Sequence, residues 1–172
     1  MKLTKILLIS ILFNLKLLPA QSSDLGTIQL IEYKNGTVSP VGSNSSDGDY
    51  VLHYGLRNSW RFDVDPYGNL WIADVGQNCF EEVNMVPLYQ SSNFGWSVRE
   101  GFHDLKEDGG CYENSSEPSI EFTDPLIEYA HENGNCSITG GYWMDWGPQS
   151  LRDGYMYGDF CSGNIWIIKN VE

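Results

Sequence analysis

Three histidines, four cysteines and 23 carboxylates are the side chains in this 172-residue sequence best suited to chemistry. A general base must titrate near neutrality, which points to His53, His103 and His131. His53 falls on a candidate strand and the other two in loop-like stretches, so all three read as structural or solvated. Cys79, Cys111, Cys136 and Cys161 form no CxxC pair or Cys/His cluster of the kind that holds zinc. The formal net charge is −13. So acidic a surface repels phosphate backbones and excludes nucleic acid as a partner, while remaining compatible with a divalent cation. Most of these carboxylates simply confer solubility.

The elements that must position such groups are strands. Residues 1–20 read as a signal peptide: Lys2 and Lys5 precede the apolar run Ile6–Phe13, and Leu18-Pro19-Ala20 offers a cleavage point. The run is too short to span a bilayer, so no membrane attachment is expected after cleavage. An uncleaved anchor is the alternative, kept open by Lys16. An even cysteine count behind a leader suggests two disulfides, and spacing leaves all three pairings open. Asn35, Asn44, Asn114 and Asn135 each begin a glycosylation sequon, relevant to a eukaryotic source.

From residue 21 onward, short apolar runs alternate with Gly, Asn, Asp and Pro, and no amphipathic helix stands out. The expected fold is all-β. Strands are expected at 27–33, 50–54, 60–64, 70–73, 82–86, 126–129, 138–144, 154–157 and 164–168. Asn35-Gly36 marks a hairpin, because both central residues of a type I′ turn need positive φ. Asp65-Pro66-Tyr67-Gly68-Asn69 marks another turn, and 97–124 reads as a polar loop. Residues 68–74, GNLWIAD, resemble residues 163–169, GNIWIIK. Such repetition suggests propeller blades, with a β-sandwich about equally compatible. About three blades fit residues 21–172, and three do not close a ring, so the chain is expected to be a fragment or to need a partner chain that completes the propeller.

Ordered blocks then carry a specific resemblance. They are Tyr54-Gly55-Leu56-Arg57-Asn58-Ser59-Trp60-Arg61-Phe62, Gly68 through Asn78, Glu81 to Asn84, Asn93 to Trp96, Asp124-Pro125, Cys136 to Tyr142 and Tyr157 to Gly163. Together they resemble glucose/sorbosone dehydrogenases, a family of secreted, soluble aldose sugar dehydrogenases. The resemblance implies a partial β-propeller, about three four-stranded blades of a six-bladed fold, binding pyrroloquinoline quinone (PQQ) and calcium and acting on an aldose sugar. It implies that Arg57 and Asn58 contact the quinone, where a guanidinium can stabilise charge on a reduced oxygen. It implies that Gly76 and Gln77 offer backbone carbonyls to the cofactor's calcium, and that Glu82 and Phe94 serve a second, structural calcium. Glu82 as an ordinary solvated carboxylate is the competing reading, about as strong. Ser59 and Gln77 each replace a proline common in the family. Arg61 reads as structural. The resemblance also implies the pair Cys136–Cys161, which leaves Cys79–Cys111.

The family's catalytic histidine lies upstream of the Arg-Asn pair, and no histidine here matches it. A lysine that contacts the quinone in relatives is replaced near Cys161. The sequence therefore points to a sugar dehydrogenase portion that is inactive alone. The alternative is a non-catalytic, secreted propeller module that binds a partner.

Overall fold

The computed structural model describes residues 51–114, 116, 121–169 and 171, together with the strands at 26–29, 31–34 and 37–40. The expected signal peptide, the Asn35-Gly36 turn and the sequon asparagines 35 and 44 lie outside these residues.

Fourteen strands are described: β1 (Gly26–Gln29), β2 (Ile31–Lys34), β3 (Thr37–Pro40), β4 (Val51–Leu56), β5 (Ser59–Val64), β6 (Asn69–Asp74), β7 (Phe80–Pro87), β8 (Ser92–Asn93), β9 (Arg99–Glu100), β10 (His103–Asp104), β11 (Ile127–Ala130), β12 (Ile138–Trp143), β13 (Gly154–Asp159) and β14 (Ile165–Lys169). Among the described residues no helix is long and apolar enough to cross a membrane.

One sheet is complete, with four antiparallel strands in the order β11-β7-β6-β5. Strands β12, β13 and β14 form a second sheet, and β1, β4 and β8 a third in which β8 runs parallel to β4. The four-stranded sheet is covered on both sides. Leu56, Leu70, Ile72, Val86, Leu88 and Phe94 fill one interface. Trp71, Ala73, Val75 and Val83 fill the other, against Ile138, Tyr155 and Tyr157 of the second sheet. Double-sided burial explains why β6 reads as an unbroken apolar run rather than an alternating one. Stacked sheets with this connectivity make the chain part of a β-propeller.

The hairpin between β5 and β6 is set by Asp65. Its Oδ1 accepts the N–H groups of Tyr67 and Asn69, both at 2.9 Å, and its Oδ2 accepts Asn69 Nδ2 and Trp71 Nε1. Burial alone would raise this carboxyl's pKa, but these hydrogen bonds reverse the shift and lower it. Gly68 takes the left-handed conformation the turn requires, φ 88°.

Three expectations change. The run 27–33 is not one strand: β1 pairs with β4, whereas β2 pairs with β3, so the chain changes partners within it. Lys34 stands opposite Thr37, which leaves a two-residue connection at the expected hairpin. The stretch 97–124 contains the short pair β9–β10. Finally, the two similar segments are not equivalent blade positions. Strand β6 lies inside its sheet, between β5 and β7, whereas β14 is an edge strand of its own among the described residues. What recurs is the turn before them. Asp159 N donates to Asn164 O at 2.9 Å and Gly163 N to Asp159 O at 3.0 Å, matching Asp65 N to Asn69 O and Gly68 N to Asp65 O at 3.0 and 3.2 Å. The repeated letters encode an Asp-to-Gly-Asn hairpin, used at two places in the fold.

Both disulfides form as the resemblance implied, Cys79–Cys111 and Cys136–Cys161.

Candidate cation and cofactor site

The link between β4 and β5 carries Arg57 and Asn58, and Asp74 at the end of β6 fixes it. Asp74 Oδ2 accepts the Arg57 N–H and Oδ1 the Asn58 N–H, each at 2.7 Å, and Oδ1 also accepts Ser59 Oγ at 3.0 Å. With the backbone held, the Arg57 side chain turns across the start of the next loop. Its Nη1 donates to Val75 O at 3.0 Å and to Gly76 O at 2.8 Å, and its guanidinium carbon lies 5.5 Å from the centre of the Trp96 ring. Asn58 and Gln77 are exposed beside this arrangement.

Gly76 is held from three directions. Its N–H donates to Glu81 Oε2 at 3.3 Å, and its carbonyl accepts from Arg57. A Cβ here would fall 1.8 Å from the Phe80 carbonyl oxygen and 2.8 Å from Glu100 Oε1. The glycine is thus required by close packing of the loop on itself. Glu100 Oε1 holds the rest of that loop, accepting the N–H groups of Asn78, Cys79 and Phe80 at 3.1, 2.7 and 2.9 Å.

Behind the loop lies a cavity of about 10 Å³, room for one water or one ion. Arg57, Asp74, Gly76, Glu82, Phe94 and Glu100 are among the residues that line it. Glu82 is buried, so the solvated-carboxylate reading fails. Its Oε1 accepts Asn84 Nδ2 at 2.8 Å and its Oε2 accepts the Gly101 N–H at 2.9 Å. Burial is the main cause that pushes its pKa up to about 8, with the charges of Asp74 and Glu100 adding to it. Burial also raises the Asp74 carboxyl, against the opposing hydrogen bonds from Arg57 and Asn58. Glu100 Oε2 and Asn84 Oδ1 are buried without a hydrogen-bond partner among the described residues.

These donors fit a hard cation. Three buried carboxylates line the cavity, one with an oxygen that has no hydrogen-bond partner among the described residues, and calcium takes oxygen ligands only. The cavity does not admit a quinone, which would have to lie outside it on the solvent side of Arg57 and Asn58. Gly76 O already accepts a cationic donor, so a metal at that oxygen competes with Arg57 for it.

The structure brings Arg57, Gly76, Glu82 and Phe94, which the sequence reading divides between a cofactor site and a second calcium site, to the lining of one cavity, together with Asp74 and Glu100, which that reading does not single out. Asp74 had a signal, a carboxylate ending an apolar run buried on both sides. Glu100 had none, since Arg99-Glu100 in a polar stretch reads as solvated. The histidines stand elsewhere. His53 is fully buried on β4, and burial lowers its pKa against an opposing contact with the Leu88 backbone. His103 bonds Tyr112 O and Glu128 and stacks on Phe80. His131 bonds the buried Glu81. Arg61 reaches across to Tyr142 OH and is structural. A larger cavity, about 260 Å³, lies at the other end of β6, around Asp65, Tyr67 and Trp143.

No protein-family model matches the chain. It is 35% identical over 123 residues to the HIPL1 protein of Arabidopsis thaliana, which covers 65% of this chain and 17% of that protein. Its fold is similar to the PQQ-bound form of an aldose sugar dehydrogenase from Streptomyces coelicolor, with a TM-score of 0.55 and 21% identity over 77% of this chain and 32% of that one. The chain thus shares its propeller architecture with a sugar dehydrogenase and spans about a third of that structure's length.

Proposed function

We propose that this chain carries cofactor-holding blades of a secreted, quinone-dependent sugar dehydrogenase, and that residues 21–172 form one partial propeller domain after loss of a signal peptide. Arg57 and Asn58 hold a quinone at the solvent side, Gly76 and Gln77 present carbonyls to its calcium, and Glu82 with the Phe94 carbonyl holds a second calcium. When bound, the quinone supplies the electron sink for oxidising the anomeric carbon of an aldose. The chain's own contribution is placement and charge. Asp74 fixes the backbone of the Arg-Asn pair, and the guanidinium offers positive charge where a reduced oxygen would lie.

The observation carrying this reading is the Arg57 Nη1 contact with Gly76 O at 2.8 Å beside the acidic cavity. It joins the two residue sets that the resemblance assigns to one cofactor. None of the three histidines lines this cavity, which supports the reading that the chain alone lacks the catalytic base and turns over no sugar. The decisive experiment titrates PQQ, with calcium present, into wild type and Arg57→Ala and follows fluorescence quenching. Weaker binding in the variant supports the reading, and equal affinity overturns it. Dye-linked glucose oxidation by the purified chain would overturn the inactive assignment.

A second reading is a secreted propeller module that binds a partner without catalysis. The ion-sized cavity favours it, since the space between the carboxylates suits a structural cation and nothing larger. Calcium binding with no PQQ binding would decide for this reading.

A further inference from the structure

Two of the four sequon asparagines, Asn114 and Asn135, lie in the described residues, and their surroundings differ. Asn114-Ser115-Ser116 follows Cys111, which is bridged to Cys79. Asn114 is exposed, and its side chain makes no hydrogen bond among the described residues. The loop that carries it is anchored on both sides. Tyr112 N donates to Asp104 O at 3.1 Å, and Ser116 N donates to Phe102 O at 2.7 Å. Between these anchors the asparagine side chain is exposed. Neither the residue after it nor the one following Ser116 is proline.

Asn135-Cys136-Ser137 is held at every position. Asn135 is half-buried, its Oδ1 accepts Asn164 Nδ2 at 3.4 Å, and its N–H donates to Glu132 O at 2.9 Å. Cys136 is bonded to Cys161. The Cys136 and Ser137 N–H groups donate to Asp159 Oδ2 at 3.0 and 2.9 Å, and Ser137 O accepts Phe160 N at 2.8 Å. A bulky sugar chain on this asparagine would crowd a turn whose three backbone N–H groups are all engaged.

We infer that Asn114 is an N-glycosylation site of this chain and that Asn135 is not occupied. The donor is a lipid diphosphate-linked oligosaccharide of the secretory pathway. Asn114 Nδ2 bonds to the anomeric carbon of the first sugar, the bond from that carbon to the diphosphate oxygen breaks, and the lipid diphosphate leaves. The amide loses one proton, and nothing is oxidised or reduced. Two disulfides place the chain's chemistry in an oxidising compartment, where such a donor operates in eukaryotes. The sugar chain keeps the loop beyond β10 in solvent, so this face is closed to a partner. The inference stands apart from the cofactor reading.

The test expresses the full chain in a eukaryotic secretory cell line. The protein is treated with a peptide N-glycosidase in heavy-oxygen water, and each sequon peptide is read by mass spectrometry. The Asn114 peptide is expected to return as labelled aspartate and the Asn135 peptide as unmodified asparagine. On gels Asn114→Gln and Ser116→Ala each lose one glycan step, while Ser116→Thr and Asn135→Gln keep it. An unlabelled Asn114 peptide from wild type overturns the proposal even if every variant misfolds. So does labelling of Asn135 equal to or above that of Asn114.

Discussion

The buried Glu81 carboxylate accepts the Ile138 N–H at 2.8 Å, joining the four-stranded sheet to the first strand of the next across 57 positions of sequence. The same side chain accepts from Gly76 N and bonds His131 Nε2. One carboxylate thus aligns two blades and the loop that carries the candidate carbonyl ligands. Glu81→Ala leaves two buried N–H groups and the half-buried His131 without this partner, and a loss of about 3 kcal/mol is expected. Urea unfolding of wild type and variant measures it.

Glu82 gives a pH dependence of definite sign. Its folded pKa is raised from 4.5 to about 8, so between those values the folded state retains a proton that the unfolded state has released. Stability therefore falls as pH rises through that window. A bound cation favours the ionised carboxylates and cancels the fall. Melting temperature in calcium-free buffer is expected to be higher at pH 5 than at pH 8, and calcium is expected to restore it at pH 8. A flat profile, or one that calcium leaves unchanged, removes the cation site.

Gly76→Ala sets a Cβ against the Phe80 carbonyl oxygen, a backbone atom that moves only with its strand. A loss of about 2 kcal/mol is expected, the size of an overpacked core substitution. Calorimetric unfolding checks it, and a neutral result shows that the loop is looser than its packing indicates.

Trp71 is fully buried and stacks on Tyr155 of the neighbouring sheet at 5.1 Å between ring centres. Trp71→Ala is expected to cost about 3–5 kcal/mol. Because Trp71 Nε1 also donates to Asp65 Oδ2, Trp71→Phe isolates that hydrogen bond at about 1 kcal/mol. Denaturant titration of the pair separates packing from bonding.

Much of the architecture was legible because turns and buried strands have local chemistry. Asp65 through Asn69 closes its hairpin as read, and the run at 70–73 lies within β6. The boundary within 27–33 was not legible, since a change of pairing partner leaves no mark in an extended apolar run. The similarity of 68–74 to 163–169 was real but reported a shared turn rather than a shared blade position. At the site, the resemblance named Arg57 and Glu82, but the burial that sets the Glu82 electrostatics comes from strands distant in sequence meeting in space. Glu100 lies in β9 and Asp74 at the end of β6, and no local pattern announces that they line one cavity.

Asp159 gathers the N–H groups of Cys136, Ser137, Cys161 and Ser162, together with Tyr129 OH. Burial would raise its pKa, yet these donors lower it, so the clamp is fully formed at neutral pH. The two cysteine-bearing turns are therefore gripped by a carboxylate as well as by sulfur. A reductant that opens Cys136–Cys161 leaves both thiols neighbours, and the bond can reclose without the chain ends having to find one another.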